Sequence, residues 1–168
     1  MTGPNIGLVL DPDLRRLIPG AQDLLSLWQA GRMAPEHLPL RSAFDPLVLR
    51  RFLGNLLIAD IERTAPASPA MAGDTRFRYR LIGTEVAQMS GRDMTNQRFE
   101  DIYDPAALGE MRYCFGWVAD NRRPARVFGN FRHANRAFLG FEALFLPVAT
   151  DDPALATQII GYVIPNRA

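Results

Sequence analysis

The chain contains no lysine: all 19 of its basic residues are arginine, set against 18 acidic residues. The resulting net charge of +1 gives no global field to draw in nucleic acid or an anionic membrane, and neither partner is expected. Arginine binds carboxylate and phosphate bidentately. Here, however, the arginines are spread along the chain rather than gathered into a basic footprint, which reads as the bias of an Arg-, Ala- and Pro-rich genome. Cysteine occurs once, at Cys114, which excludes a disulfide framework and a cysteine-based zinc cluster. The two histidines, His37 beside a proline-rich connection and His133 in an expected hairpin turn, read as surface residues. No apolar run approaches the roughly 20 residues of a membrane span. The short run from Ile6 to Leu10 has no basic residue before it and acids after it, so it is not a signal peptide. A cytoplasmic protein is the expectation. Serine-hydrolase and P-loop signatures are missing as well, and the pair Asp151-Asp152 reads as a solvated turn.

What is present is ordinary globular material: 168 residues, 48% apolar and 22% charged, enough for one domain with an appendage. The most informative stretch runs from Arg76 to Asp93. Phe77, Tyr79 and Leu81 alternate with Arg76, Arg78 and Arg80, the period of a half-buried strand. Gly83 breaks the strand, Thr84 is placed to cap a short helix, and Gly91 stops it. Four Asp-Pro pairs punctuate the chain. An aspartate N-cap followed by proline at the first helical position is a physically sound helix start. Asp45-Pro46 and Asp104-Pro105 precede apolar periodic runs, the second predicting a helix from Ala106 to about Asn121. Asp11-Pro12 predicts a short turn, and Asp152-Pro153 a loop between strands. A further helix is expected over Ala21 to Ala30, and Arg32 to Ser42 reads as an extended connection.

Strands are expected at Leu56 to Glu62, Arg76 to Leu81, Pro124 to Arg132, Ala137 to Val148 and Gln158 to Ile164, with His133-Ala134-Asn135 as a hairpin connection. Thr64 to Asp74 reads as a loop. Strands grouped around a helical insert argue for α+β with an antiparallel sheet. The strand from Ala137 to Val148 is apolar on both faces, so both faces need cover. Helices supply it on one side. The N-terminal helix carrying Trp28, or a second copy of the chain, supplies it on the other.

The order of these pieces resembles the PAS family of sensory domains, in particular a bacterial branch. The resemblance rests on Leu40-Arg41-Ser42-Ala43-Phe44-Asp45-Pro46, Tyr79-Arg80-Leu81-Ile82-Gly83-Thr84, Gly91-Arg92-Asp93-Met94-Thr95 and Leu144-Phe145-Leu146-Pro147-Val148, and covers roughly Trp28 to Pro165. It implies a five-stranded antiparallel sheet with helices on one face, over residues 41–168, preceded by a helical extension over 1–40. Where the pattern calls for glycine after Thr95 the chain has Asn96, the next best residue for a left-handed backbone. The resemblance also implies a pocket between sheet and helices. Tyr79, Met89, Tyr103, Met111, Phe115 and Phe128 are the candidate lining, with the tyrosine hydroxyls or Arg112 as anchors, and the same residues would equally fill a solid core.

No cofactor is named by the sequence. Met94 stands where flavin photosensors of this family have a cysteine, so adduct photochemistry is not expected. The helix that carries Met111 and Cys114 has no histidine for haem, and both residues read as core packing. Cys114 has no base near it and reads as an inert thiol. The expected role is a non-enzymatic sensory or regulatory module that binds a small molecule or dimerises through the sheet face or N-terminal helices, and signals to a partner protein. The rival is a cone-shaped enzyme of the ketosteroid-isomerase kind, using Asp60 or Glu142 with Tyr79. A third reading is a ligand-free assembly scaffold. Glu142, an acid in an apolar strand, is either an exposed polar position or the partner of a cross-strand arginine such as Arg126 or Arg132.

Overall fold

The computed structural model of the chain describes residues 7–66, 68, 73–131 and 136–166, and for residues 131 and 136–139 the backbone alone. The expected turn at His133-Ala134-Asn135, Arg132, and part of the loop after Thr64 lie outside the described residues.

A hairpin of β2 (Leu56–Arg63) and β3 (Thr75–Ile82) forms one side of the sheet. Its other side is built from β4 (Ala125–Phe131), β5 (Arg136–Val148) and β6 (Gln158–Asn166). β6 joins the halves by pairing with β2, and every pairing is antiparallel. The sheet has six strands rather than the expected five, because the chain before the first helix contributes β1 (Val9–Asp11) to the edge beside β4, giving the order β1-β4-β5-β6-β2-β3. The N-terminal segment is therefore part strand and not wholly helical. Its signal was the apolar run ending at Leu10, too short to show an alternation. Asp11 ends β1 by accepting hydrogen bonds from the backbone N–H groups of Asp13 and Arg15, so this Asp-Pro pair makes a turn and no helix.

The helices follow from their caps. Asp45 accepts from Leu47 N–H at 2.7 Å and starts α2 (Pro46–Leu49), which continues as a 3-10 segment to Asn55. Asp104 accepts from Ala107 N–H at 2.9 Å and starts α5 (Pro105–Asn121). α5 buries Met111, Cys114, Phe115 and Val118, one helical stripe, against the sheet. The short helix after β3, α3 (Thr84–Ser90), begins one residue earlier than expected: Gly83 is its N-cap and Thr84 lies inside it with no capping bond. Gly83 is needed for a different reason, close approach. Its N–H bonds to Leu56 O at 2.7 Å, and a Cβ there would fall 2.7 Å from the Gly54 carbonyl carbon. Gly91 ends α3 in the left-handed region at φ 84°, and Asn96 takes φ 65°, as its position predicts. A fourth helix, α4 (Phe99–Ile102), was not foreseen; four residues are too few for a periodic pattern.

The two faces of the sheet are covered differently. Phe145 of β5 packs on Phe115, so Phe141, Ala143 and Phe145 face α5. Their neighbours Glu142, Leu144 and Leu146 face the other way. There α1 (Pro19–Ala30) lies over the middle of the sheet, buries Ala21, Leu24 and Trp28, and anchors itself by the Trp28 Nε1–H bond to Pro147 O at 2.7 Å. A Cβ on Gly20 would meet the Tyr162 ring at 3.0 Å, which marks how closely α1 seats.

Candidate functional site

Three of the six residues expected to line a pocket, Tyr79, Tyr103 and Phe115, come together between the sheet and the helices, and Met89 and Met111 lie in the same buried core. Tyr79 projects from β3, Met89 from α3, Tyr103 follows α4, and Met111 and Phe115 project from α5; all are buried, Phe115 completely. Phe99 of α4 sits among them. Its ring centroid lies 4.7 Å from Tyr79, 4.9 Å from Phe115, 5.4 Å from Phe77 and 5.5 Å from Tyr103. These are contact separations for aromatic rings, mostly tilted or edge-to-face, so the rings occupy the space at the centre. At that centre the Tyr79 and Tyr103 hydroxyls hydrogen-bond to each other at 2.6 Å. Burial holds both phenols in their neutral form by pushing their pKa values well above the usual tyrosine range.

Phe128 is not part of this cluster. In β4, Val127 turns inward to pair beside Ala143, and Phe128 therefore points to the opposite face, opposite Glu142 and under the Arg126 guanidinium at 4.3 Å. Arg112 is not inside either. It donates to Asp74 Oδ1 at 2.9 Å and to Thr75 O at 3.0 Å, clamping the start of β3 to α5. Phe99, Phe77 and Phe145, which were not among the six expected residues, pack in this ring cluster. Phe77 was readable from its place on the same strand face as Tyr79.

The acids are elsewhere. Asp60 accepts from Arg80 Nε at 2.9 Å and from Gln158 Nε2 at 2.7 Å, on the face away from the tyrosines. Glu142 accepts from Arg126 Nε at 2.6 Å, and Arg126 also reaches Asp11 at 3.7 Å; Arg126 and Glu142 are 14% and 15% exposed, so this is a largely buried acid–arginine–acid group and not an exposed polar position. Glu62 bridges Arg78 and Arg98, and the Arg78 hydrogen bond first of all holds its carboxyl below the usual range. Cys114 is buried, and burial, helped by the Glu110 charge, pushes its thiol up to about 12. A thiol so far from ionising is a poor nucleophile and a poor ligand. Among the described residues, no cluster of three or more His, Cys, Asp or Glu side chains is placed to hold a metal, and no helix is long and apolar enough to cross a membrane.

An inner sheet face, a short helical connection carrying an aromatic, and one long helix laid across them make up the layer that encloses the tyrosine pair. The family model of the PAS domain matches residues 18–164, and the chain belongs to that family. No curated protein matches it in sequence. Among solved structures it is similar to one titled as the structure of an RNA-binding light-oxygen-voltage receptor, at 15% identity and a TM-score of 0.48, covering 94% of this chain and 38% of that one. The chain thus spans under two fifths of that receptor's length.

Proposed function

We propose that the chain is a non-catalytic PAS regulatory module that signals by protein contact, its inner chamber held closed by its own side chains. The observation that carries this is the Tyr79–Tyr103 hydrogen bond of 2.6 Å, enclosed by Phe99 and Phe115. The chamber's polar groups satisfy each other, and the rings around them are in mutual contact. The positions of Asp60 and Glu142 on the opposite face of the sheet favour a non-catalytic role, since an isomerase of the kind considered above needs an acid–base carboxylate beside the tyrosine. For the contact surface, α1 already occupies the middle of the outer sheet face, which directs association to the flank of α1. There Arg51 pairs with Asp23, and Leu47, Val48 and Leu53 of the adjoining segment are 78%, 43% and 43% exposed. A homodimer through this flank is the arrangement we favour.

The same tyrosine pair defines a second reading. A small molecule bearing a hydroxyl or carbonyl group would enter by replacing the inter-tyrosine bond, with Tyr79, Met89, Tyr103, Met111 and Phe115 as its lining. Native mass spectrometry of freshly purified protein, with its absorbance spectrum, separates the two. The expected result is a dimer of bare chains that Leu47→Glu converts to monomer. A stoichiometric bound molecule would install the second reading in place of the first, and a bare monomer at micromolar concentration would overturn both.

A further inference from the structure

Apart from the tyrosine cluster, a separate cavity of about 270 Å³ opens between the end of α1, the connection after it, and the end of α5. Its floor is apolar, made by Leu14, Leu25, Trp28 and Leu38, and its rim carries Arg32, His37, Arg122 and Arg123 against the single acid Glu36. None of these three arginines makes an ion pair among the described residues. Arg32 stacks over the Trp28 ring at 4.8 Å and donates to Pro35 O; Arg122 donates to the Glu36 carbonyl; Arg123 lies 6.0 Å from the Trp117 ring.

These contacts hold the guanidiniums in place without neutralising them. They also leave three polar atoms shut off from solvent with no hydrogen-bond partner: Arg32 Nε, Arg122 Nε and His37 Nδ1. A buried polar atom left unsatisfied costs on the order of 1–3 kcal/mol, and all three belong to residues that line this one cavity. The backbone points to the same place. Of the three described non-glycine residues with positive φ, Leu14 at 53° and Arg122 at 54° both line this cavity. A leucine in the left-handed region is uncommon, and such strain gathers where a structure holds a binding geometry. The arginines also have an architectural task, since Arg122 ties the connection after α1 to the end of α5. That task uses one nitrogen of one arginine and leaves the Nε atoms and the charge unanswered.

We infer that this cavity is a binding site for a small organic carboxylate, its apolar body on Trp28 and the leucines and its carboxylate among Arg32, Arg122 and His37. An inorganic anion would answer the guanidiniums but leave the apolar floor unused. The volume, just under the usual range for pockets, suits a small ligand of about the size of a substituted benzoate. The two anchors come from different elements, Arg32 from the end of α1 and Arg122 from the end of α5, so occupancy fixes α1 against the domain. That makes the site an input to the α1 flank, and it stands whether or not the inner chamber is closed.

Benzoate is the probe, with inorganic phosphate as its comparator, titrated calorimetrically into the full chain and followed in parallel by Trp fluorescence. Saturable binding of benzoate, with phosphate much weaker, is expected. Arg122→Asn, which keeps a residue tolerant of the left-handed backbone, and Arg32→Gln should each weaken binding by at least about tenfold, roughly 1.4 kcal/mol. Arg50→Gln, an exposed arginine away from the cavity, should bind as the parent does. Both cavity variants are checked by circular dichroism, and Arg32→Gln stands alone should Arg122→Asn not fold. Three results overturn the proposal: no saturable benzoate binding in the millimolar range, binding unchanged in both cavity variants, or phosphate binding as tightly as benzoate.

Discussion

Removing one hydroxyl from the tyrosine pair tests the closed chamber directly. In Tyr79→Phe the ring stays in its contacts with Phe99 and Phe115, and the only loss is the 2.6 Å bond to the Tyr103 hydroxyl. Loss of that buried hydrogen bond costs about 1–1.5 kcal/mol. In a protein of this size each kcal/mol lowers Tm by roughly 2–4 °C. Tyr103→Phe should cost a similar amount. The informative variant is the double one. Replacing both phenols by phenylalanine removes both polar groups together, and such paired removal from a buried site is close to neutral. The double variant should therefore be about as stable as the parent and more stable than either single. The double-mutant cycle subtracts whatever else each hydroxyl touches and isolates the pair, and its coupling energy should exceed about 1 kcal/mol. Urea unfolding midpoints at a common m value give the four free energies needed. Additive effects, with coupling inside about 0.5 kcal/mol, would refute the reasoning. They would mean that each hydroxyl is satisfied independently, as it would be by water or a ligand in an open chamber.

Two other predictions follow from the same structure. Asp104→Ala removes the cap bond to Ala107 N–H and should lower stability by about 1 kcal/mol in urea, while Asp104→Asn should keep most of it. Burial raises the pKa values of Tyr79, Tyr103 and Tyr162 above their unfolded value, so their contribution to stability is complete below about pH 10 and declines above it as the unfolded chain ionises; phenolate absorbance should show these three of the four tyrosines titrating late in the native protein, and an early, complete titration at intact secondary structure would contradict it.

The local chemistry of the chain was readable wherever one residue type has one physical reason to stand in its place. Asp45 and Asp104 act as caps, Gly91 as a left-handed stop, and Asn96 stands in for glycine at φ 65°, all foreseeable from short-range rules. Gly83 shows the limit of that reading. Its need arises from the Leu53–Gly54 backbone, nearly thirty residues away, and no local pattern announces a close approach. β1 and α4 were missed because three or four residues cannot display a period. Phe128 was assigned to the chamber by its aromatic character, although counting by twos from the inward Val127 places it outside. Phe99, at the centre of the cluster, carries no sequence signal of its centrality. Its position is a product of β3, α4 and α5 meeting, which is tertiary information.

The absence of lysine acquires a sharper meaning once the arginines are placed. A compositional bias explains why a basic position holds arginine, and it leaves open where each charge is answered. Elsewhere in the fold the answers are systematic. Glu62 accepts from both Arg78 and Arg98, Asp60 from Arg80, Asp74 from both Arg76 and Arg112, and Glu142 from Arg126. Most of these pairs are solvent-exposed and individually worth little, so their regularity is better understood as the neutralising of a surface that would otherwise repel itself. The cavity between the ends of α1 and α5 departs from that pattern, with three guanidiniums, one carboxylate on the rim and no ion pair among the described residues. Even dispersal along the sequence had argued against an anion partner, but dispersal in sequence says nothing about convergence in space. Arg32 and Arg122 are ninety positions apart and line the same cavity. The bias supplies the arginines; the fold leaves these without a carboxylate of the chain's own to hold.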